Sequence, residues 1–178
     1  MGYAGSYMWR LRQKVGNMTV ITATVDVLAV DTKGRLKMVL TNHIGKWTLV
    51  GGHVEPGDSW ASAAINELEE EAGIIANKAD LELFATISGG GRIYHYQDGD
   101  TRPFTVIYLI KKWSEERMPG DDEEVAKTKW ASLEEAKKMD INDHTQNIIE
   151  AYERYLDTGK LQEIEEGVIE ANAPFLQK

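Results

Sequence analysis

The chain has 178 residues, 42% of them hydrophobic and 28% charged, with a formal net charge of -9 and no cysteine. That length suits one domain with a real core, and the acidic balance argues against a surface for polymeric nucleic acid, because the one local basic patch (Arg10, Arg12, Lys14) is small. The lack of cysteine removes disulfides, thiol catalysis and cysteine-held zinc; without an apolar leader or a run long enough to span a bilayer, the expectation is a soluble cytoplasmic protein that does not enter membranes.

Residues 1–17 read as an arm or short strand carrying Trp9 and Leu11. Thr19 to Asp31 is rich in β-branched residues and predicts a long strand. Thr32-Lys33-Gly34 is a turn, and Arg35 to Thr41 is expected to return as the partner strand. Trp47 to Val50 is a short apolar strand ending in Gly51-Gly52. Pro56-Gly57 is a turn, and Asp58 or Ser59 can cap a helix that runs to Ala72, with Gly73 as its terminating residue. Leu81 to Ser88 and Phe104 to Trp113 predict strands, joined by a Gly-rich aromatic hairpin tip. Ser114 to Glu124 is a charged loop, and Val125 to Ser132 a short strand. Ser132 and Glu135 make a capping box for one helix. Asp143 to Tyr155 predicts another, apolar at Ile148, Ile149, Tyr152 and Leu156. The segment 158–178 is acidic and expected to be helical. Strands first, then a helix, then strands and helices again, predict an α+β protein: an α-β-α sandwich with a mixed sheet flanked by helices.

The helix after Gly51-Gly52 carries the chemistry. At about 100° per residue, Ala61, Ala64, Ile65, Leu68 and Ala72 form one apolar stripe, while Glu67, Glu70 and Glu71 share an arc of about 100° on the other side and Glu69 points away. Near a helix C-terminus the macrodipole disfavours each of these negative charges by a few tenths of a kcal/mol. No Lys or Arg stands three or four residues from any of them, so no ion pair within the helix compensates. A solvated acidic face is the plain reading. A bound Mg²⁺ or Mn²⁺, held by hard oxygen ligands, is the reading that removes the electrostatic cost.

The spacing resembles the Nudix box, G-x5-E-x7-R-E-U-x-E-E-x-G-U with U aliphatic. Gly52, Glu67, Leu68, Glu70, Glu71, Gly73 and Ile74 match, while Asp58 stands where Glu is usual and Asn66 where Arg is usual. The resemblance implies a Nudix domain over about residues 18–157, between the arm (1–17) and the acidic extension (158–178). It implies Glu67, Glu70 and Glu71 as catalytic and metal-site carboxylates, with a backbone oxygen of Gly51 or Gly52 as a further ligand. It also implies a Mg²⁺- or Mn²⁺-dependent attack of water on the pyrophosphate of a nucleoside diphosphate linked to another group, or of a related small nucleotide. With Asn66 for Arg, the glutamates lose a cationic partner, and Arg92, Arg102 and Lys46 are candidates to replace it. A second reading follows from the same substitution: a Nudix-fold nucleotide-binding or regulatory module with weak or no catalysis.

Outside the box, Trp47 either lines a substrate cleft or packs under the helix. Tyr94, His95 and Tyr96 are either a surface hairpin or a stacking platform for a base or sugar. Arg92 and Arg102 are candidate phosphate contacts or solvated arginines. Asp121 to Glu124 is a solvated acidic loop from which one residue can reach the site. His43, His53 and His144 share no metal spacing. Trp113 and Trp130 are expected in the core. The arm and the acidic tail are candidate surfaces for a homodimer.

Overall fold

In the computed structural model the described residues are 5–42, 44–89, 93–95, 98–119 and 124–165. Helix α1 (Tyr7–Val15) leads into β1 (Val20–Ala29), β2 (Leu36–Thr41), β3 (Trp47–Thr48) and β4 (Val50–His53). Then come α2 (Trp60–Ala72), β5 (Ile74–Ile75), β6 (Leu81–Ser88), β7 (Thr101–Ile110), β8 (Glu115–Glu116) and β9 (Val125–Ala131). The short α3 (Leu133–Ala136), the long α4 (Asp143–Thr158) and β10 (Gln162–Glu165) follow.

A five-stranded sheet has the order β10-β6-β7-β1-β4. β1 runs parallel to β7 along its whole length, from Val20↔Thr101 to Ala29↔Ile110, and antiparallel to β4. The sheet is mixed, as expected. Alternation along β1 divides the core in two. Val25, Val27 and Ala29 pack with Ala63, Ala64, Leu68 and Ala72 of α2. Leu28 and Val30 pack with Ile148, Ile149 and Tyr152 of α4. One helix therefore covers each face, and the period of two in β1 assigns each side chain to its layer.

Several expectations are corrected. β2 does not pair along β1: the two meet only at the Val30↔Leu36 bridge, because β4 and β7 already occupy both edges of β1. β2 instead centres a second sheet, β3-β2-β9. The first segment is a helix, capped by the Ser6 hydroxyl, which accepts from the Trp9 amide. Its Arg12 is buried and donates to the backbone oxygens of Met18 and Asp100 at 2.6 and 2.5 Å, so the expected basic patch loses its centre to a structural role. β7 begins at Thr101 and ends at Ile110, three residues upstream of the span read from its apolar run, since Val20 to Thr22 offer it a continuous partner. Gly51-Gly52 lies inside β4 rather than after a strand. Where a helical extension was expected, Gln162–Glu165 is a strand added in parallel to β6, burying Ile164; the rest of the extension lies outside the described residues. Leu156 is exposed, beyond the reach of the α4 core stripe. Trp113 and Trp130 are half-buried and stack at 5.5 Å, with Lys37 over Trp130.

α2 ends as its sequence predicts, at Ala72 with Gly73 in the left-handed region (φ 68°). The position is doubly reserved for glycine. A Cβ there would lie 2.2 Å from the Arg117 backbone oxygen, and the Arg117 amide donates to the Gly73 oxygen at 2.8 Å. Gly73→Ala is expected to lower unfolding free energy by about 2 kcal/mol or more, measured by denaturant titration, since left-handed strain alone costs about 1–2 kcal/mol.

Candidate functional site

The three box glutamates occupy different depths. Glu71 is buried, Glu67 half-buried and Glu70 exposed, and Glu69 is exposed as expected. The apolar stripe read from the sequence is correspondingly rotated. Ala63, Ala64, Leu68, Glu71 and Ala72 are the buried positions, while Ala61 and Ile65 are only half-buried. The whole helix has rolled toward its acidic side. What draws Glu71 inward is the edge of the sheet: the Gly51 amide donates to Glu71 Oε2 at 2.9 Å. β4 is the last strand of its sheet, so an amide on its outer edge needs a partner, and a carboxylate supplies one.

The two glycines are needed for different reasons. A Cβ on Gly52 would lie 2.1 Å from Glu67 Oε1, so the backbone meets that carboxylate at a distance only glycine permits. A Cβ on Gly51 would point to the opposite face and lie 2.3 Å from Asp26 Oδ1 and 2.4 Å from the Val25 oxygen. Strand and helix thus bring bare backbone and two carboxylates together. The donor set, carboxylate and carbonyl oxygen, is the kind that Mg²⁺ and Mn²⁺ prefer, and the cradle fits a cation of that class. The convergence is partial: among the described residues, no three His, Asp or Glu side chains stand close enough to form a ready-made metal site.

Asp58 does not cap α2. Ser59 does, accepting from the Ser62 amide at 3.1 Å, while Asp58 is exposed in the preceding turn. Glu55 accepts from the Tyr7 amide and so ties the box loop to the start of α1. Burial lowers the pKa of His53 below the ordinary imidazole value, leaving it neutral at pH 7.

The substrate candidates separate. Trp47 is half-buried and packs against the α4-side cluster, as do Leu133, Met139 and Ile141, rather than under α2. Tyr94 exchanges two backbone hydrogen bonds with Thr101, both 2.9 Å, so it stands next to Arg102 at the start of β7. Arg102 is in register with Ile21, and Gly52 with Val25, on the same face of the sheet; the step between them along β1 is about 13 Å at about 3.3 Å per residue. Lys46 pairs with Asp140 at 3.0 Å. Arg92, Tyr96, His43 and Asp121 to Glu123 lie outside the described residues.

Two features escaped the sequence reading. His144 Nε2 and Asp26 Oδ2 are 2.5 Å apart, both largely buried, and fasten the first turn of α4 to the strand that pairs with Gly51. The signal was available: Asp26 is a lone charge in an apolar central strand, and such a charge requires a partner. The second is Arg117, which shares a surface hollow with Asn66, Glu69, Glu70, Gly73, Ile75 and Met118.

Comparison with known proteins places these features in a family. The model of the NUDIX domain matches residues 20–152. The chain is 31% identical over 102 residues to the nucleoside triphosphatase NudI of Enterobacter sp. (strain 638), covering 57% of this chain and 72% of that protein. It is 37% identical over 75 residues to the asymmetrical bis(5'-nucleosyl)-tetraphosphatase of Sus scrofa, covering 42% of this chain and 47% of that one. The fold is similar to the crystal structure of a MutT NUDIX hydrolase from Burkholderia pseudomallei, with a TM-score of 0.61 at 19% identity, over 74% of this chain and 97% of that one.

The glycine geometry predicts a contrast. Gly51→Ala collides with backbone and is expected to lower the thermal midpoint by several degrees, whereas Gly52→Ala meets only the end of a flexible side chain and costs much less. Thermal unfolding of the two variants side by side checks the order, with 1 kcal/mol corresponding to about 2–4 °C at this size.

Proposed function

The chain belongs to the NUDIX domain family, and from that premise we propose that it is a divalent-metal-dependent hydrolase of the phosphoanhydride bond in a small nucleotide, such as a nucleoside diphosphate linked to another group or a nucleoside polyphosphate. The observation that carries this reading is the approach of Gly51 and Gly52 to Glu71 and Glu67, with the Gly51 amide on Glu71 and no room for a side chain on Gly52. Packing against β1 accounts for Gly51, whose Cβ would meet the Val25 oxygen, but Gly52 meets nothing nearer than the Glu67 carboxylate. The names of the relatives, a nucleoside triphosphatase and a bis(5'-nucleosyl)-tetraphosphatase, support the substrate class.

Glu67, Glu70 and Glu71, with a backbone oxygen of Gly51 or Gly52, would hold Mg²⁺ or Mn²⁺. When bound, such a cation offsets charge on the phosphate oxygens and favours deprotonation of water. Glu71 spends one carboxylate oxygen on the Gly51 amide, which fixes the orientation of the other. Glu70 is exposed, and we assign it the side of the site that meets substrate and water. In the reaction a water oxygen bonds to phosphorus, the bridging P–O bond breaks, and the water proton passes to a carboxylate. Arg102 lies on the box face of the sheet beside Tyr94, and we assign it to a distal phosphate and Tyr94 to the base or sugar. Trp47 packs against the α4-side core, and we assign it no direct part in binding the substrate.

A second reading, a nucleotide-binding module with little turnover, draws on Asn66, which leaves the last turns of α2 without a basic residue of their own. Incubation with Mg²⁺ or Mn²⁺ and a panel of nucleoside triphosphates, dinucleoside polyphosphates, ADP-sugars and NADH separates the two. The hydrolase reading expects phosphate or nucleotide release that stops on chelation with EDTA. It further expects a fall in kcat of at least about 100-fold in Glu70→Gln or Glu71→Gln, the loss of a few kcal/mol of transition-state stabilisation. Binding without turnover on every substrate would establish the module instead.

A further inference from the structure

Four glutamates crowd the C-terminal half of α2, where the helix dipole opposes them and where no basic residue occurs in the last turn. A compensating cation has to come from another part of the chain. Arg117 is so placed. β8 pairs with β5 through Ile74↔Glu116 and Ile75↔Glu115, and the Arg117 amide bonds the Gly73 oxygen at 2.8 Å, so the segment is fastened to the chain just past the end of α2 by successive backbone contacts. Arg117 lines the same hollow as Asn66, Glu69 and Glu70. Its guanidinium donates to Glu115 at 2.6 Å, and Glu115 first, with Glu69 further off, raises its pKa. Asn66 and Glu70 are four residues apart, neighbours on one helix face, so the hollow is where a cation on residue 66 would have met Glu70.

We propose that Arg117 is a positioning residue for the box: from its place immediately after β8 it supplies the positive charge that α2 lacks at Asn66, and it orients Glu70 toward the metal site. This rests on the reading of Glu70 as a metal-site carboxylate. Arg117 touches neither water nor phosphate in this role. It acts on Glu70, and its exposure leaves the guanidinium free to exchange between Glu115 and Glu70 as the site fills.

The test measures Mn²⁺ affinity directly, by electron paramagnetic resonance titration of unbound Mn²⁺, alongside turnover. The proteins are the wild type, Arg117→Ala, and Arg117→Ala combined with Asn66→Arg, each checked for folding by circular dichroism, with Arg117→Gln as the substitute if the alanine variant unfolds. Arg117→Ala is expected to weaken Mn²⁺ binding about 10-fold, the usual scale for losing a residue that orients a ligand. Asn66→Arg should restore most of it, because an arginine at that position stands four residues from Glu70 on the same helix. Weakening without rescue would mean that Arg117 only braces β8, and the proposal fails. Unchanged binding would mean that Arg117 has no influence on the site, and tighter binding that it merely repels the cation; the proposal fails in either case. If the wild type binds Mn²⁺ with the expected pattern across variants but turns over nothing, the hydrolase reading falls and the role of Arg117 stands.

Discussion

The backbone of strand β4 lies against the carboxylates of α2, and most of the molecule is arranged around that contact. Gly51 offers its amide to Glu71, and Gly52 makes room for Glu67. The helix can come this close only because its own inner face is made of small residues, Ala63, Ala64 and Ala72, with Leu68 as the one large anchor. The strand is held flat by β1 through four registered pairs, Thr24↔His53 to Val27↔Val50. On the far face, Asp26 and His144 fix the same stretch of β1 to α4. A carboxylate as buried as Glu71 would ordinarily be costly; here an edge amide needs it.

The electrostatics of α2 follow from that arrangement. Drawing Glu71 inward leaves Glu70 and Glu69 on the outer side, with a helix C-terminus pointing the same negative potential at them. Ion pairing along the helix cannot answer this, since its sequence contains no cation. The answer comes through β8, a two-residue strand whose main work is to hold Arg117 beside the helix end. The other face of that strand carries Glu116, which takes Lys37 and the Trp130 indole, so β8 is anchored to the second sheet as well as to β5. A charged loop by composition is thereby made into a strut.

The outer parts of the chain serve the same centre in a looser way. α1 is tied to the box loop by Glu55 and to the start of β1 and β7 by the buried Arg12. Gly99 accommodates Arg12 much as Gly52 accommodates Glu67, since a Cβ there would lie 2.7 Å from the guanidinium. β10 closes the far edge of the sheet against β6 and buries Ile164 there.

The box helix was legible in the sequence because its signals are local: a serine cap, a 3.6-residue stripe and a terminating glycine all lie within the segment itself, and the structure has Trp60–Ala72 closed by Gly73. β6 and the capping box of α3 were legible for the same reason. The partners of these elements were not. That β1 would be filled on both edges, sending β2 to another sheet, depends on β7, which lies far along the chain. The helix at Tyr7–Val15 depends on Arg12 finding the oxygens of Met18 and Asp100, and the strand at Gln162–Glu165 on an open edge of β6. Composition and spacing by themselves determined which carboxylates and which glycines this protein has to work with, because helical and strand periods act within a few residues. Which carboxylate is buried, which faces solvent, and which arginine answers for Asn66 were decided only when strands distant in sequence came to lie a few ångströms apart, because burial and charge act through space.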